Sequence, residues 1–468
     1  MLFPAAACHQ SQPTGDRCQQ SFAHVVYVNW PPMSVPVAPS EPPAPSAGTP
    51  GPGRRRCKAR PQTPGALRPS DVIGAFFLAA IAMLVAGVAA AVVDAIDPWP
   101  WGRWLALHLI FVGGISQLVL GASQFFAGAF LATDPPGRGW IRAQLAAWNT
   151  GAVLLAIAVP VRSDTLVDLA VAALVIGLAC YGWSLLSMQR GSLQRAPWAV
   201  RWYLAAALCL ALGVAAGTML ATGATWPHGN LLSAHMALNV GGWFGAAIVG
   251  TLHTFFPSLT RSTLARPRLQ APTFAAWIAG IAALVVGYGW LIDPLAVAGW
   301  IALTIAAAAL SVNIVLSLRS APRPVTLPAR MLALAQVFLV AGLLVACVGA
   351  ISNGPADALS GSFRPAVGTL LVAGWIGVTV LGSLFHLLSV LVRVRDLRTP
   401  LPAPRPRLDT ATAVVVALGV IGVAATQLAE GSGLDGLASA VLLVAYAMLA
   451  MRLIRLIARI LTVARPSV

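Results

Sequence analysis

The sequence predicts an all-α integral membrane bundle of twelve transmembrane helices, built as three four-helix repeats. Composition is the first observation behind this. Of 468 residues, 58% are hydrophobic and only 9% charged, and the mean hydropathy is +0.80. A soluble globular chain carries about 25% charged residues, so this one is built for lipid. The second observation is a series of twelve apolar runs from residue 72 onward. Each is long enough to cross a bilayer, which takes about 20 helical residues. The third is the alternating charge of the loops between them.

Residues 1–71 are rich in Pro, Ser, Gly and Ala and show no apolar periodicity, so a disordered cytoplasmic tail is expected there. It lacks a signal-peptide core, and Met33 is an alternative initiator. The tail ends in a basic cluster, Arg54, Arg55, Arg56, Lys58 and Arg60, which suits an inside anchor before the first span. The membrane domain covers 72–463. Its expected spans are 73–93, 104–131, 143–161, 166–188, 199–221, 231–256, 273–291, 295–317, 330–351, 366–392, 410–428 and 437–460. Gly/Pro-rich breakers such as TDPPGRG separate them.

The net charge of +16 resembles that of a nucleic-acid binder until the arginines are placed. They fall in short loops and set topology, so no nucleic-acid partner is expected. With the N-terminus inside, the outer loops hold only Arg103, Arg162 and Arg364 of the 30 Lys and Arg. The same loops hold Asp94, Asp97, Asp164, Asp168, Asp293, Asp357, Glu430 and Asp435 of the 14 acids. A miscounted span would invert this alternation downstream of the error. Both termini are therefore expected in the cytoplasm, in a multi-pass protein of a bacterial inner membrane. Lys58 is the lone lysine beside many arginines, alanines and glycines, as in a GC-rich bacterial coding sequence. The six cysteines show no CxxC spacing, so neither a disulfide framework nor a zinc site is implied.

Spans two, six and ten resemble one another: HLIFVGGISQLVLGAS, HMALNVGGWFGAAIVGT and VGTLLVAGWIGVTVLGS. Their glycines superpose when Gly113 is laid on Gly241 or on Gly242, and Gly242 on Gly374. The repeating unit is a four-helix block, over about 72–190, 198–318 and 329–460. Small-residue spacing in a membrane bundle also produces such likeness, because small residues let helices approach.

With the acids read as lying in loops, the tail or span edges, and no Arg or Lys expected mid-span, the ionisable side chains inside the spans are expected to be His108, His235, His253 and His386, besides weakly acidic Cys and Tyr. Intramembrane histidines are costly and point to function. His108 and His235 begin spans two and six, toward the outer face; His253 and His386 come late in spans six and ten, toward the inner face. His235 and His253 are five helical turns apart, roughly 27 Å along one helix, so they cannot share a site. Two imidazole pairs result. Neutral imidazole suits transition metals, and a facing pair suits bis-axial haem ligation, so haem or copper is the expected cofactor. Asn239, one turn after His235, is placed to orient it, and Gly241 and Gly242 to leave room for a flat macrocycle. The blander readings are packing glycines, interfacial histidines and an interhelical hydrogen bond at Asn239.

Twelve helices in three blocks, with histidines on spans two, six and ten, resemble the haem-copper oxidase catalytic subunit. The stretch from His235 to Pro257 is similar to the His…Gly-Trp-x-Gly…Pro helix of its C-type branch. The chain also resembles NnrS-like membrane proteins and the membrane half of actinobacterial multicopper-oxidase fusions. The resemblance implies a haem or copper connection and a redox partner or multicopper oxidase beside the lipid bilayer. It departs from the oxidases where their binuclear centre needs histidines: span seven has none, and Val367 and Thr369 stand at the outer end of span ten. No cupredoxin domain is expected with the chain either. The expectation is thus a redox-associated membrane protein, with no reaction named. The rivals are a transporter for a small uncharged or metal solute and a cofactor-free assembly partner.

Topology is testable directly. Reporter fusions after Arg195, Arg266 and Arg398 should report cytoplasm, and fusions near Asp164 and Asp293 the outside; one reversed pair would break the span count.

Overall fold

The computed structural model describes residues 69–192, 198–395, 403–429 and 433–463. The expected tail therefore lies outside the described residues, up to residue 68. The described chain is all-α. Twelve helices are long and apolar enough to cross a membrane: Val72–Ile96, Gly102–Leu131, Arg138–Ala158, Asp164–Arg190, Trp198–Ala221, Leu231–Thr260, Pro267–Gly289, Asp293–Ser320, Leu327–Ser352, Arg364–Val390, Pro406–Leu428 and Asp435–Arg459. They are spans 1 to 12 below. Connections are short, with one extra helix, Pro355–Ser360, between spans 9 and 10.

Boundaries shift where side chains find partners that hydropathy does not weigh. Span 3 starts at Arg138, ahead of the apolar run, and the indole N–H of Trp140 there reaches the Cys180 carbonyl and Ser184 Oγ of span 4, each at 3.0 Å. Span 6 continues through Pro257 to Thr260. Its left-handed end residue, Arg261, closes the helix with an N–H bond to the Ser258 carbonyl.

Each block consists of two antiparallel pairs. Spans 1 and 2, 5 and 6, and 9 and 10 pack as one kind; spans 3 and 4, 7 and 8, and 11 and 12 as the other. Burial identifies the centre. Spans 6 and 10 are 67% and 61% buried over their most apolar stretch, against 22% and 17% for spans 1 and 12. Two of the repeat-bearing helices, spans 6 and 10, are therefore the innermost, and spans 1 and 12 leave most of their apolar side chains to lipid.

Spans 2, 6 and 10 share a feature that their sequences hide. Each contains a π-helical stretch: Leu109–Ile115, Ala237–Gly245 and Thr369–Gly377. A π turn widens the helix and is rare outside functional or packing-critical places. It makes a carbonyl accessible from the side, and in every block an aromatic donor takes it. The indole N–H of Trp148 donates to the Val112 carbonyl, and that of Trp277 to the Gly241 carbonyl, both at 3.0 Å. The Tyr446 hydroxyl donates to the Ala373 carbonyl at 2.5 Å. In the third block the donor comes from span 12, the second helix of the outer pair, instead of the first.

These carbonyls fix the register of the repeat: Val112 corresponds to Gly241, and Gly241 to Ala373. Glycine contacts agree. A Cβ on Gly113, Gly242 or Gly374 would come within 2.9 Å of Met83, 2.5 Å of Cys209 or 2.8 Å of Phe338, each on the preceding span. Two turns deeper, Gly121, Gly250 and Gly382 are met in the same way by Phe76, Trp202 and Leu332. Both sets of glycines are equivalent in the register that the carbonyls set, so the threefold repeat is a property of the packing.

Polar groups close the remaining seams. Gln117 and Asn149 exchange amide hydrogen bonds across spans 2 and 3 at 3.1 and 3.2 Å. Trp243 of span 6 donates to Ser116 of span 2 at 2.9 Å. Contrary to the expectation that no arginine lies inside a span, Arg452 lies within span 12; it pairs with buried Asp409 at the start of span 11 and donates to Thr412 at 2.8 Å, so its charge is met by a partner.

The carbonyl bonds generate a stability prediction. Tyr446→Phe deletes one hydroxyl without changing ring volume. It should lower the unfolding free energy by about 0.5–2 kcal/mol, read by denaturant unfolding in mixed micelles. Trp148→Phe should do the same. Wild-type stability in both would mean that the widened turns do not depend on these donors.

Candidate imidazole site

His108 is the last residue before the π stretch of span 2 and His235 lies just before that of span 6. Both lie near the Arg-poor end of the bundle. They are not equivalent in the repeat. At the structural register, His108 corresponds to Ala237 and Thr369, and His235 to Ala106 and Val367. They nonetheless stand toward the same ends of two helices that touch, as the Trp243 to Ser116 hydrogen bond shows. Deeper along the same two helices, the rings of Phe111 and Phe244 meet at 5.3 Å.

Each ring is held through the same nitrogen. His108 Nδ1–H donates to the Trp104 carbonyl one turn earlier at 2.8 Å, and its ring stacks on the Trp104 indole at 4.1 Å. Trp104 thus positions an imidazole through both its carbonyl and its ring. His235 Nδ1 has two neighbours, the Gly213 carbonyl of span 5 at 2.9 Å and the Asn239 amide nitrogen at 3.3 Å. A protonated Nδ1 can donate only to the carbonyl, which is also the nearer. The Asn239 amide instead donates to the His235 carbonyl at 2.8 Å. Asn239 thus braces the backbone under the ring, and Gly213 selects the tautomer.

Two glycines of span 5 make room for this arrangement. A Cβ on Gly217 would come 2.9 Å from the imidazole Cε1 of His235, and one on Gly213 would come 2.6 Å from the Asn239 amide. These are the residues that sequence reasoning missed. The glycines it chose, Gly241 and Gly242, serve something else. The space beside them is filled by Ile281 and by Cys209, 2.5 Å from where a Cβ would stand. They let spans 7 and 5 approach and leave no room there for a macrocycle.

The remaining two histidines each have partners of their own. His253 is buried, stacks on Trp202 of span 5 at 6.2 Å and donates Nδ1–H to the Val249 carbonyl at 2.8 Å. Its Nε2 is buried without a partner. His386 packs edge-on against Phe255 at 5.4 Å. No contact joins the two imidazoles.

Among the described residues, no group of three or more His, Cys, Asp or Glu is placed to hold a metal ion. A self-sufficient protein cage for zinc or copper(II) is therefore not formed by them. Haem iron is less demanding, because a porphyrin fills four positions and needs only axial donors. The donor chemistry at His108 and His235 fits that need. In both, Nδ1–H is committed to a carbonyl, which leaves Nε2 as the lone-pair nitrogen, and neither Nε2 has a hydrogen-bond partner among the described residues. Comparison with protein-family models and with curated proteins found no match to this chain.

Proposed function

We propose that this protein binds a redox metal, as haem iron or as copper, through Nε2 of His108 and His235, and serves as a redox-associated component of a bacterial inner membrane. The observation that carries the reading is the shared tautomer: two intramembrane imidazoles toward the same end of touching helices, each with Nδ1–H tied to a backbone carbonyl. Such carbonyl bonds orient metal-binding histidines and raise their basicity. Bound iron or copper would supply one-electron transfer. The chain's own contribution is to hold the rings: Trp104 stacks and accepts for one, while Gly213, Gly217 and Asn239 seat the other. A redox partner, such as a multicopper oxidase, would exchange electrons at the Arg-poor face, where the pair lies.

The test is an absorption spectrum with metal analysis on protein purified from cells supplied with haem and copper. His108→Ala and His235→Ala should each remove the same bound cofactor, and His386→Ala should retain it. Colourless, metal-free wild-type protein would overturn the reading, as would full occupancy in either outer variant.

A second measurement addresses the support of the ring. Gly217→Val places methyls where His235 sits and should weaken cofactor retention by about 10–100-fold, the usual cost of disturbing a ligand's support. Unchanged retention on titration with a competing chelator or apo-haemoprotein would show that the seat of the ring is irrelevant.

A further inference from the structure

Below the imidazoles, between spans 2, 6 and 10, lies a cavity of about 80 Å³. Its walls show the repeat more clearly than any stretch of sequence. Laying Val112 on Gly241 carries the positions that span 2 gives the cavity onto those given by span 6; laying Gly241 on Ala373 carries these onto the positions of span 10. The cavity thus sits on the pseudo-threefold axis. Phe77 of span 1 and Tyr203 of span 5 complete the wall.

The chemistry of the wall breaks the symmetry. One layer is Leu118, Ala247 and Thr379, and the next is Ala122, Thr251 and Ser383. Span 10 therefore supplies a hydroxyl in both layers, where span 2 supplies none. A Ser or Thr within a helix commonly bonds the carbonyl four residues back. Thr251 does so at 2.7 Å, and Ser123, which lines the wall from span 2 outside these two layers, does so at 2.6 Å. Thr379 does not: it is only 5% exposed, and its hydroxyl has no partner. Ser383 also makes no hydrogen bond among the described residues. A buried hydroxyl without a partner is costly in an apolar setting, so an occupant that accepts from it would recover that cost.

We infer that this axial cavity is a binding site for a small neutral molecule with an apolar body and one hydrogen-bond-accepting oxygen, held by Thr379 and Ser383. No Asp, Glu, Lys, Arg or His lines it, and a charged ligand would pay a desolvation penalty that nothing on the wall repays. A single water needs roughly 10–15 Å³ by the same measure, so the space accepts something larger. Most of the wall is hydrocarbon, which favours an alcohol or ketone over a pool of water. Thr251 and Tyr203, bonded to each other at 2.9 Å, give a polar edge opposite span 10. The site is independent of the imidazole pair and stands or falls separately from it.

The probe is a diazirine-bearing octanol, photoactivated on the full chain in lipid nanodiscs, with adducts mapped by mass spectrometry. Labelling at the wall positions of spans 6 and 10 should saturate and be displaced by unlabelled octanol, while labelling of lipid-facing positions such as Leu78 and Leu443 should not. Thr379→Val with Ser383→Ala keeps shape and removes both hydroxyls. It should move the wall-labelling curve to roughly tenfold higher probe concentration, the loss of about one net hydrogen bond. Ala247→Phe should fill the cavity and abolish saturable labelling. A diazirine-bearing alkane that labels the wall equally well, or saturable labelling unchanged in the hydroxyl-free variant, would overturn the assignment. Should Ala247→Phe fail to fold, the near-isosteric double variant decides alone.

Discussion

Backbone hydrogen bonding in a solvent that offers no partners is the constraint on which the rest of this structure depends. Inside hydrocarbon each N–H and C=O must be satisfied by the chain itself, which restricts the spans to helices. The three π stretches test that rule, because a widened turn makes carbonyls accessible from the side. The structure answers with Trp148, Trp277 and Tyr446, each donating to the corresponding carbonyl of its block. The wide turns are therefore built into the packing of the outer pairs against the inner helices. Two of them also lie immediately beside His108 and His235, where a local change of helix pitch changes which way a ring can point.

Close approach is the second ingredient. Lipid supplies no hydrophobic drive between helices, so contact area must come from small residues that let backbones meet. Gly113, Gly242 and Gly374, and again Gly121, Gly250 and Gly382, each receive a side chain of the preceding span closer than an ordinary contact to where a Cβ would be. The same glycines that made the repeat visible in the sequence are the ones that hold the inner helices to their partners.

On this symmetric frame the chemistry is asymmetric. His108 has Ala237 and Thr369 as its counterparts, and Thr379 has Leu118 and Ala247. Repetition provides equivalent positions around an axis, and single substitutions then make one position polar. His108 and His235 stand at two non-equivalent positions on spans 2 and 6, and the unpartnered hydroxyls of the cavity belong to span 10.

Features that depend on solvation were legible in the chain before it was folded. Apolar length marked twelve spans, loop arginines marked a consistent alternation, and recurring glycines marked the four-helix block, because partitioning and small-residue packing act residue by residue. Features that depend on neighbours from distant parts of the chain were not. Gly241 and Gly242 read as cofactor space, yet Ile281 and Cys209 occupy it. The ring of His235 is set by Gly213 and Gly217 on another helix, and no local pattern marks a carbonyl as an acceptor for an imidazole. The π stretches are equally silent in sequence, since one extra residue per turn leaves composition untouched. Whether Gly113 answers to Gly241 or to Gly242 was settled only when equivalent carbonyls and glycine contacts could be matched in space, and that register is what places the cavity on the axis.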